Sequence, residues 1–130
     1  MTWPTFFPED CPDPEIPDAD GRVWRLVPVI PPTTGDFASQ REKAPQKDWG
    51  GSLCKACGLS VLRHPEDARR MRTRVPAFRS HRLMVATLTA AEGKLSPTPS
   101  NAAPSHHTWW VPQEVDPLSL FVEVAEETEP

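Results

Sequence analysis

The stretch SHHTWWV, residues 105–111, decides the fold most clearly, because its branched and aromatic residues favour a strand. Successive side chains of a strand point to opposite faces, so its last six residues form two sets. The more apolar set, which we predict to face the core, is His107, Trp109 and Val111. The other set is His106, Thr108 and Trp110. This second set offers an imidazole, a hydroxyl and an indole ring to a ligand, unless both faces are covered and His106 only binds a backbone carbonyl.

Strand patterns recur outward from this stretch. They occupy residues 22–30, 59–62 and 80–89, and a possible edge strand ends DPLSLFVEV at 116–124. Residues 80–89 have apolar side chains on both sides, which indicates a central position in the sheet. The proline-rich segment GKLSPTPSNAAPS at 93–105 predicts a loop.

Residues 65–75, PEDARRMRTRV, predict the one clear helix. Pro65 suits its first position, and Ala68, Met71 and Val75 gather on one side while arginines cover the other. A shorter helical turn, capped by Thr34 or Asp36, is predicted up to about residue 43. We therefore predict an α+β fold: a small antiparallel or mixed sheet with one Arg-rich amphipathic helix and Pro-rich loops.

Composition predicts a single domain between two acidic ends. The chain has 130 residues, of which 17 are proline, so long helices are excluded nearly everywhere. Residues 1–20 carry six acids and five prolines and predict an arm outside the core, whose aromatic residues could still dock on the domain. The domain is predicted at 21–122 and an acidic tail at 123–130. Residues 41–82 carry eleven Lys or Arg and four acids, so the middle of the chain is basic.

Three cysteines, an odd number, predict reduced thiols and not a disulfide framework. No stretch approaches the ~20 apolar residues that span a bilayer, and residues 1–12 do not resemble a signal peptide. We therefore expect a cytoplasmic protein with no membrane partner.

Cys54 and Cys57, followed by Gly58, have the spacing of a zinc knuckle. A structural zinc site needs four ligands, and Cys11, His64 and His81 stand at no distinctive spacing from this pair. A redox dithiol would require the first cysteine at a helix N-terminus, where we predict a turn. The favoured interpretation is two ordinary thiols at a turn, with no zinc expected.

The arginines of the predicted helix, with Arg79 and Arg82, could contact a phosphate backbone. The acidic ends oppose such a partner, and no aromatic residues interleave with the basic run, so a nucleic acid is the less favoured partner. A solvated outer face of the helix explains the same arginines. The sequence has no Gly-rich phosphate loop, G-x-S-x-G or H-E-x-x-H motif.

The order of these motifs resembles a family of short, uncharacterised bacterial proteins. In such proteins an early strand with an arginine precedes a D-F-x-S step, a G-L-S-V turn and strand, an Arg-rich helix and a late H-x-T-x-W strand. The matching segments here are Arg25, DFAS at 36–39, GLSV at 58–61, the helix at 65–75 and HHTWW at 106–110. The resemblance spans about residues 22–122 and implies one continuous domain.

The order of motifs also resembles the core of ADP-ribosyltransferases. These enzymes use an Arg or His on the first strand, a hydroxyl residue on a later strand and a Glu or Gln near the end. Arg25 and Thr108 match the first two, whereas Gln113 and Glu114 follow Pro112 outside the predicted strand. The resemblance implies NAD as the cofactor, with Arg25 binding a phosphate and His106 or Thr108 contacting the ribose.

Two hypotheses about function follow. The first is a binding module that engages a protein or nucleotide partner through the basic helix or the strand face, with Trp110 and Arg25 contacting the ligand. The second is an NAD-using enzyme whose catalytic residues are Arg25, His106 and Thr108. An enzyme should bring Arg25, His106 and an acidic side chain into one concavity, whereas a binding module would leave them apart.

Overall fold

A computed structural model describes residues 1–125, in which six strands form one antiparallel sheet. The strands are β1 (Gly21–Val27), β2 (Leu59–Leu62), β3 (Arg82–Leu88), β4 (Lys94–Pro97), β5 (His106–Trp110) and β6 (Val122–Glu123). Their order across the sheet is β4-β5-β2-β1-β3-β6, and every pairing is antiparallel. The predicted α+β fold is confirmed.

The α-helices are short except for the predicted Arg-rich one. They are α1 (Gln40–Lys43), α2 (Leu53–Ala56), α3 (Pro65–Arg74) and α4 (Pro117–Leu120). Single 3-10 turns occupy Thr34–Phe37, Gly50–Ser52, Pro76–Phe78 and Ala90–Glu92. The first two helical turns are capped by Thr33 and Ser39 and not by the predicted Thr34 or Asp36. The turn predicted around the two cysteines is instead α2.

The sheet has an apolar core on each face. The larger core includes Val23, Val27, Val61, Leu88 and Trp109. The smaller core lies under α3 and contains Leu62, Ala68, Leu83 and Ala103, with Met71 packed against it. Because both faces are covered, β3 has buried residues on both sides, as its sequence predicted.

The loop prediction for residues 93–105 is wrong at its beginning, where β4 pairs with β5. Proline is tolerated there because β4 is the outermost strand and Pro97 is its last residue. The outer edge of β4 is bonded to the N-terminal arm. The Leu95 amide donates to the Pro17 carbonyl and the Ala19 amide donates to the Gly93 carbonyl.

The arm also differs from the prediction that it lies outside the core. Ala19 is 1% exposed and belongs to the larger core, and Cys11 is buried. Cys11 forms a disulfide with Cys54 of α2, with 5.6 Å between their Cα atoms. The prediction of three reduced thiols is therefore wrong, and it fails because the arm returns to the domain and places Cys11 beside α2.

The predicted docking of the arm's aromatic residues is supported at Phe6 and Phe7, which line one cleft with Phe37 and Val111 of the domain. The rings of Trp3 and Phe7 stack with centroids 5.8 Å apart, and Phe6 meets Phe7 edge-on at 5.2 Å. The Gln113 amide donates to the Thr2 carbonyl at 2.7 Å, which joins the start of the arm to the segment after β5. The part of the predicted acidic tail at 126–130 lies outside the described residues.

No helix within residues 1–125 has both the length and the apolar composition needed to cross a membrane.

Candidate functional site

A polar cleft of about 560 Å³ opens beside the N-terminal half of β5. Strands β2 and β5 provide Ser60, His106 and Thr108, and the residue after β4 provides Thr98. The opposite wall is the segment 47–56, which includes α2. We call this the polar cleft.

Thr98 connects the two β5 residues of the polar cleft. Its hydroxyl shares a hydrogen bond of 2.9 Å with the hydroxyl of Thr108 and lies 2.8 Å from Nδ1 of His106. The Thr98 carbonyl oxygen also lies 3.0 Å from Nδ1. A carbonyl oxygen can only accept and a hydroxyl can accept as well, so the tautomer with its proton on Nδ1 is the one that satisfies both contacts. The other ring nitrogen, Nε2, is then unprotonated.

His106 is half-buried, and its surroundings favour the neutral ring. Burial lowers the pKa of His106 below its ordinary value, and the positive charges of Lys55, His107 and Arg25 lower that pKa further. The hydrogen bond to Thr98 acts in the opposite direction but does not reverse the shift. At neutral pH the ring is therefore an uncharged acceptor at Nε2.

The opposite wall of the polar cleft contributes cations and an aromatic ring. Lys55 lies on α2, and Lys47 places its Nζ 4.2 Å from the centroid of the Trp49 ring. The indole Nε1 of Trp49 is buried without a hydrogen-bond partner in the described part of the chain. Asp48 also lines the cleft. The wall thus has two amines, one carboxylate and an aromatic ring.

Trp110 does not join this site, although the sequence places it on the same face as His106 and Thr108. It is 4% exposed, and its Nε1 donates to the Cys54 carbonyl at 2.8 Å. Trp110 therefore fixes α2 against the sheet, and the indole ring at the cleft comes from Trp49. The prediction that Trp110 contacts a ligand has no support from this position.

The two faces of β5 also divide differently from the prediction. Trp109 is fully buried as expected, and its Nε1 donates to the Glu92 carbonyl. Thr108 is 3% exposed on the other face, so both faces are covered at the C-terminal end of β5. His107, assigned to the core, is only half-buried, and its Nδ1 lies 2.8 Å from the Ser105 carbonyl oxygen. Only the His106 end of the strand remains open to a cleft.

Arg25 lies on β1, next to Trp24, which pairs with Leu62 of β2. Its Nη1 donates to the Ser60 carbonyl at 2.6 Å, and its Nη2 and Nε donate to the Asp36 carbonyl at 2.9 and 3.2 Å. Burial lowers the pKa of Arg25 to about 10, against the opposing effect of the Asp36 charge. The guanidinium thus satisfies two backbone carbonyls within the fold.

Arg25 and His106 do line a common, smaller cleft of about 230 Å³. Of the residues that the structure describes, no acidic side chain lines it, and Thr108 lies outside its lining. The Ser60 and Asp36 carbonyls use three of the five N–H donors of Arg25. The NAD-using enzyme stays a prediction, and the convergence of Arg25, His106 and an acid that it requires is incomplete here.

The cysteine pair is not arranged as a zinc knuckle. Cys54 is bonded to Cys11 and so has no thiolate for a metal. Cys57 is buried, and that burial raises the pKa of its thiol. Within residues 1–125, no group of three or more His, Cys, Asp or Glu side chains is placed to hold a metal ion.

The basic helix forms an open surface. Arg70 of α3 pairs with Asp67, and Arg82 of β3 pairs with Glu123. Arg69, Arg72 and Arg79 border a shallow depression with Thr73. Within residues 1–125, no aromatic side chain lines this depression, so it offers charge without a stacking surface.

No family model matches the chain, and no curated protein or solved structure matches it either. The polar cleft is therefore interpreted from its own chemistry.

Sequence patterns indicated His106 and Thr108 but missed the other residues of the polar cleft. Thr98 was assigned to a loop, and Trp49 and Lys55 stand in a segment with no periodic pattern. Gly58 is the one signal that could have placed β2 beside β5, because a Cβ at this position would collide with the Thr108 side chain. A glycine before a strand has many explanations, so the signal was not specific.

Proposed function

We propose that this chain is a binding module for a small phosphorylated ligand of the nucleotide class, held in the polar cleft. The observation that carries the proposal is the meeting of His106 and Thr108 with Lys55, Lys47 and Trp49 around one volume of about 560 Å³. This volume lies within the range of ~300–1,000 Å³ that is usual for small-molecule sites.

The two walls of the cleft supply the contacts that a nucleotide needs. The amines of Lys47 and Lys55 are donors that suit a phosphate. The ring of Trp49 offers a surface for stacking a base, an interaction that does not depend on which base is present. The imidazole of His106 and the hydroxyl of Ser60 on the opposite wall suit the sugar. The nucleotide partner expected from the sequence is thus supported at His106, with Trp49 in place of Trp110.

Local charge favours the same ligand class. The three groups that lower the pKa of His106 by their charge are all cationic when protonated, and the polar cleft contains Asp48 as its single carboxylate in the described chain. An anion entering the cleft would be attracted by Lys55 and Lys47 over distances comparable with the Debye length, ~8–10 Å at ordinary salt.

The test is isothermal titration calorimetry with AMP at pH 7.5, since AMP combines a base, a sugar and one phosphate. We expect measurable binding, and a loss of about tenfold for Lys55→Ala because one charged hydrogen bond is removed. Arg74→Ala is the matched control, since it removes one positive charge from an exposed position on α3. Absence of AMP binding, or equal losses in the two variants, would contradict the proposal.

A further inference from the structure

Resting on the proposed function, we infer that His106 determines specificity in the polar cleft by accepting a hydrogen bond from a sugar hydroxyl, while the phosphate binds at the lysine wall. The ligand class is thereby narrowed to phosphate esters that retain a free ribose hydroxyl.

The first step is the orientation of the ring. Nδ1 of His106 lies 3.0 Å from the Thr98 carbonyl oxygen, and this oxygen has no proton to give. The Thr98 hydroxyl, 2.8 Å from Nδ1, can accept as well, so we assign the proton of the neutral ring to Nδ1, the tautomer that satisfies both contacts. Thr98 is itself fixed, because its amide donates to the His106 carbonyl at 2.9 Å. The backbone of two neighbouring segments thus sets the tautomer.

The second step is to identify the atom of the His106 ring that a ligand can still hydrogen-bond. Nε2 makes no hydrogen bond within residues 1–125, although the ring lines the polar cleft. The hydroxyls of Thr98 and Thr108 bond to each other. Nε2 is consequently an acceptor that this wall offers to a ligand, together with the exposed hydroxyl of Ser60.

The third step is the division of the cleft by donor and acceptor. A fully ionised phosphate has only acceptor oxygens, so it gains no hydrogen bond from an unprotonated Nε2. The amines of Lys55 and Lys47, by contrast, are donors only. A ligand with an anion at one end and an O–H donor at the other satisfies both walls. A sugar phosphate has this arrangement, because its phosphate monoester dianion has only acceptor oxygens and its hydroxyls are on the sugar.

The experiment compares AMP with 2′,3′-dideoxy-AMP, which keeps the base and the phosphate but lacks both ring hydroxyls. For the unaltered chain at pH 7.5 we expect AMP to bind about 3- to 10-fold more tightly, as one neutral hydrogen bond provides. In His106→Phe this preference should disappear, mainly because AMP binds more weakly while the affinity for the dideoxy nucleotide changes little.

Two further variants separate recognition from folding. His107→Phe changes the neighbouring imidazole, whose Nδ1 is at the Ser105 carbonyl, and should keep the preference for AMP. His106→Gln retains an acceptor oxygen and should restore part of the preference. It also gives a second measurement if His106→Phe does not fold.

The outcomes distinguish this inference from the proposed function. If AMP binds and Lys55→Ala weakens it, but AMP and dideoxy-AMP bind equally, the inference fails and the proposed function stands. A preference for AMP that persists in His106→Phe also overturns the inference, because another group must then contact the hydroxyls. If neither nucleotide binds the unaltered chain, both the inference and the proposed function fail.

Discussion

Two polar clusters meet at consecutive residues, Ser105 and His106, and differ in how completely the protein satisfies them. In the first, Asp67 of α3 accepts from the Ser105 amide at 2.9 Å and from Arg70 at 2.7 Å, and the Ser105 hydroxyl accepts from the His64 amide. In the second, Thr98 engages Nδ1 of His106 and leaves Nε2 without a partner in the described chain.

The difference separates architecture from recognition. The Asp67 cluster joins the first turn of α3 to the start of β5, and its carboxylate is 5% exposed, so its hydrogen bonds serve the fold. The His106 cluster borders a cleft and retains an acceptor. We therefore expect a change at Asp67 to alter the free energy of unfolding, and a change at His106 to alter binding.

The largest effect is expected from removing the disulfide that holds α2, which is part of the cleft wall opposite the second cluster. Replacing Cys11 and Cys54 by serine opens a link between residues 43 positions apart, and we expect the free energy of unfolding to fall by about 4 kcal/mol. Urea unfolding with and without a reductant measures this loss. Because Lys55 follows Cys54 on α2, AMP binding should also weaken. A stability that is insensitive to reductant would contradict the prediction.

The next largest effect is expected at the first cluster, around Asp67. Asp67→Asn removes a charge that accepts two hydrogen bonds, and we expect a loss of about 1–3 kcal/mol in urea unfolding at pH 7. AMP affinity should be unchanged in the folded protein. An equal loss of AMP affinity would show that the two clusters are not separate.

The same carboxylate predicts a pH dependence. Burial alone would raise the pKa of Asp67, but the hydrogen bonds from Ser105 and Arg70 bring it below its ordinary value. Its contribution to stability is then present above the unfolded pKa of about 3.9 and is lost as the pH falls through the lower folded value. Acid titration of unfolding free energy should show this loss in the unaltered chain and a smaller one in Asp67→Asn.

A smaller effect is expected at Thr98. Thr98→Val leaves the buried Thr108 hydroxyl without its partner, and we expect a loss of about 1 kcal/mol in urea unfolding. The carbonyl of residue 98 still accepts from Nδ1, so the preference for AMP over its dideoxy analogue should persist. Loss of that preference would mean that the hydroxyl, and not the carbonyl, sets the tautomer.

The smallest expected effect is a shift in the pKa of His106, with no change in the free energy of unfolding. Lys55→Ala removes a positive charge that lowers the pKa of His106, so that pKa should rise toward its ordinary value of about 6.5. Nitrogen-detected NMR titration of the imidazole measures the shift, and the nitrogen shifts also report which ring nitrogen is protonated. An unchanged pKa would indicate that Lys55 points away from the cleft.

Local patterns predicted the elements that local chemistry determines. Three patterns were of this kind: the alternation in β5, the proline and acids at the start of α3, and the two-sided apolar pattern of β3. Each pattern is formed by residues that are close together in the sequence. The segment 94–97 escaped prediction because its strand character depends on pairing with β5 on one side and with the arm on the other. The proline content of a segment does not indicate which other segments pair with it.

The site was predicted less completely for the same reason. Strand periodicity brought His106 and Thr108 to one face, but it assigned Trp110 to the ligand, when that ring instead supports α2. Arg25 was identified by its charge, while the carbonyls of Asp36 and Ser60 that occupy it come from two other segments. The contact between Cys11 and Cys54 likewise depends on tertiary structure, and cysteine number alone gave the wrong redox state.

The contact of residues 17–19 with β4 has a consequence for the behaviour of the chain among its own copies. An unpaired outer strand is a template on which a second molecule can add a strand and begin to aggregate. Here Pro17 and Ala19 occupy the main-chain groups of that edge, and Lys94 pairs with Asp18. A segment with little regular structure thus protects this edge of the sheet from self-association, and a chain shortened past residue 19 would lose that protection.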